Sequence, residues 1–139
     1  MKITTKGFYA VEILRALAAW PHRGGKQKAN NLPMTLADIE EELKIPRDYA
    51  ERILLGLKRS GITGSLRGNA GGVCLAKKNR DISLADVFTA VGEDIAPWRA
   101  AVPKKNAKRP IICPAHPVWR KLYEHNARFL KHTTLADFV

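Results

Sequence analysis

The stretch TLADIEEELKIPRDYAERILLGLKRS, residues 35–60, decides how this sequence is read. It falls into two short amphipathic segments. In the first, Leu36, Ile39 and Leu43 share one side while Glu40, Glu41 and Glu42 face outward, and the pattern breaks at Lys44-Ile45-Pro46. In the second, from about Arg47 to Ser60, Tyr49, Ile53, Leu54 and Leu57 supply a buried stripe at helical spacing. Its opposite face carries Asp48, Glu51, Arg52 and Leu55, spaced i, i+3, i+4, i+7. Two short helices separated by a three-residue break are the helix-turn-helix pattern.

Immediately downstream, ITGSLR (residues 62–67) alternates like a strand, GNAGG (68–72) follows, and VCLA (73–76) reads as a second strand. Glycines at that density permit positive φ and make a thin hairpin tip. A helix-turn-helix followed by a hairpin is a winged helix. The fold class expected is therefore mainly α with a small β-hairpin wing.

Upstream, residues from about Thr4 to Trp20 read as a helix, with Val11, Leu14, Leu17 and Ala18 at helical spacing. A polar loop carrying Arg23, Lys26 and Lys28 runs from Pro21 to about Pro33. One small motif recurs at Thr35-Leu-Ala-Asp38, Ser83-Leu-Ala-Asp86 and Thr134-Leu-Ala-Asp137. A hydroxyl with an acid three residues on is a shortened capping box, so three helix starts are expected. The second begins a helix to about Gly92, with Leu84, Val87, Phe88 and Val91 inward. Residues 96–115 hold Pro97, Pro103, Pro110 and Pro114 among Lys104, Lys105, Lys108 and Arg109, and exclude regular structure. A last long helix, from about Pro117 to His132, lines up Trp119, Leu122, Asn126, Phe129 and Thr133 at a 3–4 spacing. Asn126 interrupts that otherwise apolar seam.

The composition narrows the function. The chain has 139 residues and 45% apolar content, enough for one domain with a core. Its 24 Lys and Arg against 13 Asp and Glu leave a net charge of +11, which points to a polyanion. No apolar run approaches the roughly 18–20 residues of a membrane span. The start MKITTKGFYAVEILRALAAW has the look of an export signal, but Glu12 and Arg15 interrupt it. Two cysteines, Cys74 and Cys113, cannot build a disulfide framework and fit a reducing cytoplasm. There is no P-loop, GxSxG, Rossmann glycine pattern or HExxH, so no catalytic residue is assigned and no enzyme is expected.

Nucleic acid is the polyanion that the pattern favours. Arg47, Asp48, Glu51 and Arg52 lie near the start of the second helix, where arginine reaches guanine or phosphate and a carboxylate accepts from cytosine N4. An ordinary solvated face of mixed charge would look the same in isolation. The wing tips the balance: Arg67, followed by Gly68 and Asn69, sets one cation on a narrow hairpin that can enter a minor groove.

These residues resemble a known family, the bacterial winged-helix regulators of the IscR, NsrR and CymR type, of the Rrf lineage. The resemblance lies in MKITTKGFYAVEIL, IPRDYAERILLGLKRSGI, SLRGNAGGVCLAK, DISLADVFTAV, HPVWRKLY and FLKHTTLADFV, in that order along nearly the whole chain. It implies a homodimeric transcription regulator, read here as a repressor, on a pseudo-palindromic double-stranded DNA operator. Residues 1–80 would form the winged helix-turn-helix domain and 81–115 a connecting helix with a basic, proline-containing loop. Residues 116–139 would form a dimerisation helix through Trp119, Leu122, Asn126 and Phe129, with a C-terminal cap. Glu51 and its neighbours would read the major groove, Arg67 the minor groove, and Lys6 and Tyr9 the backbone.

Two departures from the family matter. Glycine is usual where Lys44 stands, which implies a strained turn. Cluster-binding members carry three cysteines before the last helix; here Cys113-Pro-Ala-His116 matches only the third and its histidine, and Phe8 replaces an acid that serves as ligand in some relatives. One Cys and one His are too few for a cluster held mostly by thiolates, so no iron–sulfur cofactor and no metal site are expected. Two alternatives stay open. One is a redox or metal- or cluster-sensing regulator acting through Cys113 and His116, where neighbouring cations favour a thiolate. The other is a non-specific basic nucleic-acid-binding protein. A small-molecule or protein effector is compatible with either regulator, and a membrane partner is not expected because the basic loop adjoins no apolar amphipathic face.

The charge is unevenly placed. Residues 32–59, which contain the proposed reading helix, carry 5 positive and 6 negative side chains, whereas 1–31 carry 6 and 1 and 99–132 carry 9 and 1. The surplus is expected to supply phosphate attraction, leaving sequence choice to a nearly neutral helix and one wing arginine.

Overall fold

The computed structural model describes residues 3–20, 33–68, 71–93 and 116–139. Within them the chain forms α1 (Thr5–Ala19), α2 (Leu36–Leu43), α3 (Arg47–Arg59), β1 (Thr63–Leu66), β2 (Gly72–Leu75), α4 (Leu84–Ala90) and α5 (His116–His132). A short 3-10 turn, Leu135–Phe138, follows α5. The mainly helical fold with a two-stranded antiparallel hairpin agrees with the sequence reading.

Helix α1 is the central post, touching α2, α3, β2, α4 and the C-terminal turn. Its inward face is Ala10, Ile13, Leu14 and Leu17, rotated from the expected stripe; Val11 and Ala18 are only half-buried. Being packed on several sides, α1 buries small residues as well as large ones: Ala10 is wholly buried and Ala16 nearly so. Burying each large aliphatic side chain contributes about 1.5–3 kcal/mol, and Ile39, Ile45, Ile53, Leu57 and Ile62 bring that burial from α2, α3 and the residues that follow each of them.

The repeated hydroxyl–acid motif behaves as read. In α2 and α4 the Thr35 and Ser83 hydroxyls accept from the N–H of Asp38 and Asp86, and each carboxylate accepts the cap residue's own N–H. In the third copy the Asp137 carboxylate likewise accepts the Thr134 N–H, at 2.7 Å, but the Asp137 N–H donates to the Thr134 carbonyl and the motif starts a 3-10 turn rather than an α-helix. Between α2 and α3, Lys44 adopts the left-handed conformation, φ 56° and ψ 31°, and donates its N–H to the Glu40 carbonyl at 2.9 Å. Lys44 is the one non-glycine residue with positive φ among those described.

The strands pair Thr63 with Leu75, Gly64 with Cys74, Ser65 with Val73 and Leu66 with Gly72. They are each slightly shorter or shifted relative to the sequence expectation. A third edge comes from Met34, which exchanges two 2.8 Å backbone hydrogen bonds with Val73 and is fully buried. The sequence reading placed the end of a polar loop there. At the other end of the chain, Ser83 bridges Thr134, and Leu135 donates to the Ile82 carbonyl at 2.9 Å. Leu135 thereby joins the same buried core as α1 and α3.

Candidate nucleic-acid interface

Helix α3 places the proposed reading residues on one open face. Arg47, Asp48, Glu51, Arg52 and Leu55 are exposed, while Ala50, Ile53, Leu54 and Leu57 are buried behind them. Its N-terminal cap is Pro46, which makes no side-chain cap bond, so the first-turn Asp48 and the last-turn Lys58 and Arg59 are the charges that suit the helix dipole. Tyr49 turns aside to meet Tyr9 of α1 edge-on, ring centroids 5.8 Å apart and planes at 83°. Such a pair contributes about 0.5–1.5 kcal/mol beyond its buried area. Tyr9 is therefore half-buried and ties α1 to α3, with Phe8 tilted against it at 6.0 Å.

Arg67 is exposed where the hairpin leaves β1, and Gly68 beside it has φ +112°, a conformation open to glycine and strained for other residues. Asn69 lies outside the described residues, as does Cys113. Lys6 is half-buried on α1, with its Nζ near Gly92. The structure thus gathers Arg47, Asp48, Glu51 and Arg52 on one helix and sets Arg67 on the neighbouring hairpin; Lys6 and Tyr9 belong to a separate helix.

The first turn of α1 depends on a residue that sequence reasoning did not single out. Thr4 makes no cap bond to the helix; instead Glu93, beyond α4, accepts the Gly7 N–H at 3.1 Å and the Thr4 hydroxyl with the same oxygen. No local motif announces a cap from so far along the chain.

Along α5, Trp119 is 42%, Leu122 43% and Phe129 60% exposed, with Val118 exposed beside them. Leu130, which borders that row beside Asn126, docks onto Leu84 and Phe88 of α4. Asn126 is half-buried.

A family described as "Rrf2: Iron-dependent Transcriptional regulator" matches residues 3–139. The chain belongs to the Rrf2 family. It is similar to the transcriptional regulator IscR of Serratia proteamaculans and of Erwinia tasmaniensis, each 34% identical over 139 residues, covering 100% of this chain and 79% of theirs. Among solved structures it is similar to CymR, the global cysteine regulator of B. subtilis, with a TM-score of 0.72 at 26% identity, covering 99% of this chain and 95% of that one. T. potens IscR gives a TM-score of 0.72 at 27% identity, covering 99% and 85%. This Rrf2 member is a DNA-binding transcription regulator of the winged-helix type.

The family match corrects one expectation. A chain without a cofactor does not stand, because the Rrf2 family is one of iron-dependent regulators. The residues present do not fit a cluster held by three thiolates of one chain, since the sequence has two cysteines. Cys74 is half-buried in the hairpin, its Sγ 3.9 Å from the Gly64 carbonyl oxygen. His125 is exposed, and His132 Nδ1 lies 2.8 Å from the Arg128 carbonyl. Among the described residues no three His, Cys, Asp or Glu side chains converge as a metal site. Nor is any described helix long and apolar enough to cross a membrane.

Proposed function

We propose that this protein is a cytoplasmic, sequence-specific repressor that binds a pseudo-palindromic operator as a homodimer. The observation that carries the reading is the exposed face of α3, where Arg47, Asp48, Glu51 and Arg52 stand together beside the hairpin bearing Arg67. Two-fold pairing through Trp119, Leu122, Asn126 and Phe129 would present two such faces to successive major grooves. An exposed row of large apolar side chains on a long helix supports that pairing. In this scheme residues 1–80 bind DNA, 81–115 connect, and 116–139 dimerise, with Lys6 and Tyr9 toward the backbone and Gly68 and Asn69 at the wing tip.

Selection from random duplex DNA tests the proposal. One palindrome should be enriched, Glu51→Ala should change the preferred bases, and Arg67→Ala should weaken binding. Equal binding to all sequences would instead support a non-specific basic protein. Light scattering of the free protein reads the dimer, and a monomer binding one half-site would overturn it.

A second reading is control through Cys113 and His116, by thiol oxidation or by iron. An oxidised form is known for the Staphylococcus aureus CymR neighbour, 25% identical, and the family is iron-dependent. Repeating the selection with reduced and oxidised protein, and assaying iron and sulfide after anaerobic purification, separates the two signals. A small-molecule or protein effector is the partner expected if neither changes binding.

A further inference from the structure

Helix α5 has two unlike sides. By the helical period of 3.6 residues, Trp119, Leu122, Asn126, Phe129 and Thr133 fall in one stripe, and the exposed cations Arg120, Lys121, Arg128 and Lys131 fall on the side turned away from it. Glu124, which pairs with Arg120, lies among those cations. The stripe therefore carries no formal charge, and Asn126 stands in the middle of it. Asn126 is half-buried, with the exposed Leu122 and Phe129 on one flank and Leu130, 2% exposed against α4, on the other. Its amide has no hydrogen-bond partner among the described residues.

Whatever covers that stripe takes Asn126 out of water, and a buried amide left without a partner lowers affinity. A second copy of this chain supplies what is needed. It brings the same uncharged stripe and keeps its own cations on the far side. In a two-fold contact residue i meets j and j meets i, so a residue at the middle of the contact meets its own copy. Helices running the same way set every stripe residue opposite itself; helices running opposite ways do so only at the middle. Asn126 satisfies both cases. An amide is also self-complementary, because its N–H donates to the other carbonyl oxygen while its own oxygen accepts in return. A carboxylate or an ammonium at that place would repel itself.

We propose that Asn126 pairs with the partner's Asn126 across the two-fold axis and makes this chain select its own copy. The inference rests on the homodimer proposed above and adds selectivity to it. A chain with an apolar side chain at that place would cover Asn126 without answering it. The mixed dimer is then penalised, while each pure dimer is satisfied. A single polar residue in an apolar helix seam fixes register and partner in this way, at a cost in stability. A mixed dimer would bring two different reading helices to one operator, so the amide pair keeps the symmetry of the protein matched to a palindrome.

The test mixes full-length chains, one of them mass-tagged, and counts the dimers by native mass spectrometry after subunit exchange. Indifferent pairing at equal input makes about half of the dimers mixed. With wild type and Asn126→Leu the mixed share should fall to about a fifth or less, because an unpaired buried amide lowers an association constant roughly 5- to 100-fold. Asn126→Asp and Asn126→Lys each set like charges against one another, so each should dimerise about tenfold or more weakly, read by sedimentation on dilution. Mixing those two variants should restore dimers, nearly all of them mixed. Melting curves check folding, and if either charged variant does not melt cooperatively, the mixture of wild type with Asn126→Leu decides alone. Indifferent pairing in that mixture, or charged variants that stay weak when mixed, would overturn the amide pair and leave a dimeric wild type standing. A monomeric wild type would remove the homodimer and the pair together.

Discussion

Replacing Lys44 by glycine should stabilise the protein. The residue sits at the end of α2 with φ 56° and ψ 31°, where an L side chain crowds its own carbonyl at a cost of about 1–2 kcal/mol. Glycine removes that cost but gives the unfolded chain more freedom, which offsets about 0.4–1 kcal/mol. The net gain is about 1 kcal/mol, or roughly 3–5 °C in Tm for a chain of this size. Little else changes. The Lys44 side chain is exposed, and its N–H bond to the Glu40 carbonyl is kept by any residue but proline. The conformation is enforced from both sides, by that bond and by the neighbouring Ile45, 1% exposed in the core. Urea unfolding and thermal melts of Lys44→Gly, Lys44→Asn and Lys44→Ala make the measurement. Asparagine, which tolerates this region better than most residues, should fall between glycine and wild type. Alanine removes the charge and keeps the Cβ, so it should give no gain. A glycine variant no more stable than the alanine variant would refute the strain argument.

Gly56→Ala should destabilise, against the helix propensity that favours alanine by about 1 kcal/mol: a Cβ there would lie 2.5 Å from the Ala90 carbonyl oxygen. Overpacking of that kind costs about 1–3 kcal/mol, and a more stable variant in denaturant titration would contradict the close approach of α3 to α4. Glu93→Ala removes the acceptor for Gly7 N–H and the Thr4 hydroxyl and should cost about 1 kcal/mol, with earlier hydrogen exchange in the first turn of α1. Glu93→Gln keeps an oxygen and should lose less. Thr63→Val replaces a buried hydroxyl that has no hydrogen-bond partner among the described residues with a similar shape, and should raise stability by about 1 kcal/mol; a loss of that size in the same melts would show that the hydroxyl is satisfied in solution.

Most of the helix-turn-helix and the hairpin was legible because their signals are local. The capping boxes, the break at Lys44-Ile45-Pro46 and the two-sided pattern of α3 lie within a few residues each, and the structure realises them. Even the strain at Lys44 could be anticipated, from the glycine usual there in the resembling family. What escaped the sequence depends on contacts between distant segments. Met34 looked like the end of a loop because a single bridge to Val73 leaves no alternation to detect. The inward face of α1 is rotated because a helix packed on several sides buries more than one stripe: Ala10, Ile13 and Ala16 are buried while Val11 and Ala18 stay half-buried. Glu93 caps a helix 86 residues before it. The expectation of no cofactor failed for a different reason: counting thiols tests for one kind of cluster, and the family's iron dependence is a wider statement than that.

The same long-range contacts give α4 a place in the working of the protein. Leu84 and Phe88 receive Leu130 from α5, while the Ala90 carbonyl lies against Gly56 in the middle of α3. The end of the chain then returns, through Thr134 and Leu135, to the residues that start α4. Helix α4 is thus packed between the helix that bears the exposed apolar seam and the helix that bears the proposed reading face. Close-packed interiors yield little at such contacts, so the spacing of two reading helices in a dimer would be set by how α5 meets α4 rather than by the surface charge. The +11 net charge is absent from α2 and α3, where residues 32–59 are one unit negative. If the proposed reading holds, salt should scale the affinity for any duplex, while the choice among duplexes would follow the α5–α4–α3 packing and the four side chains at the front of α3.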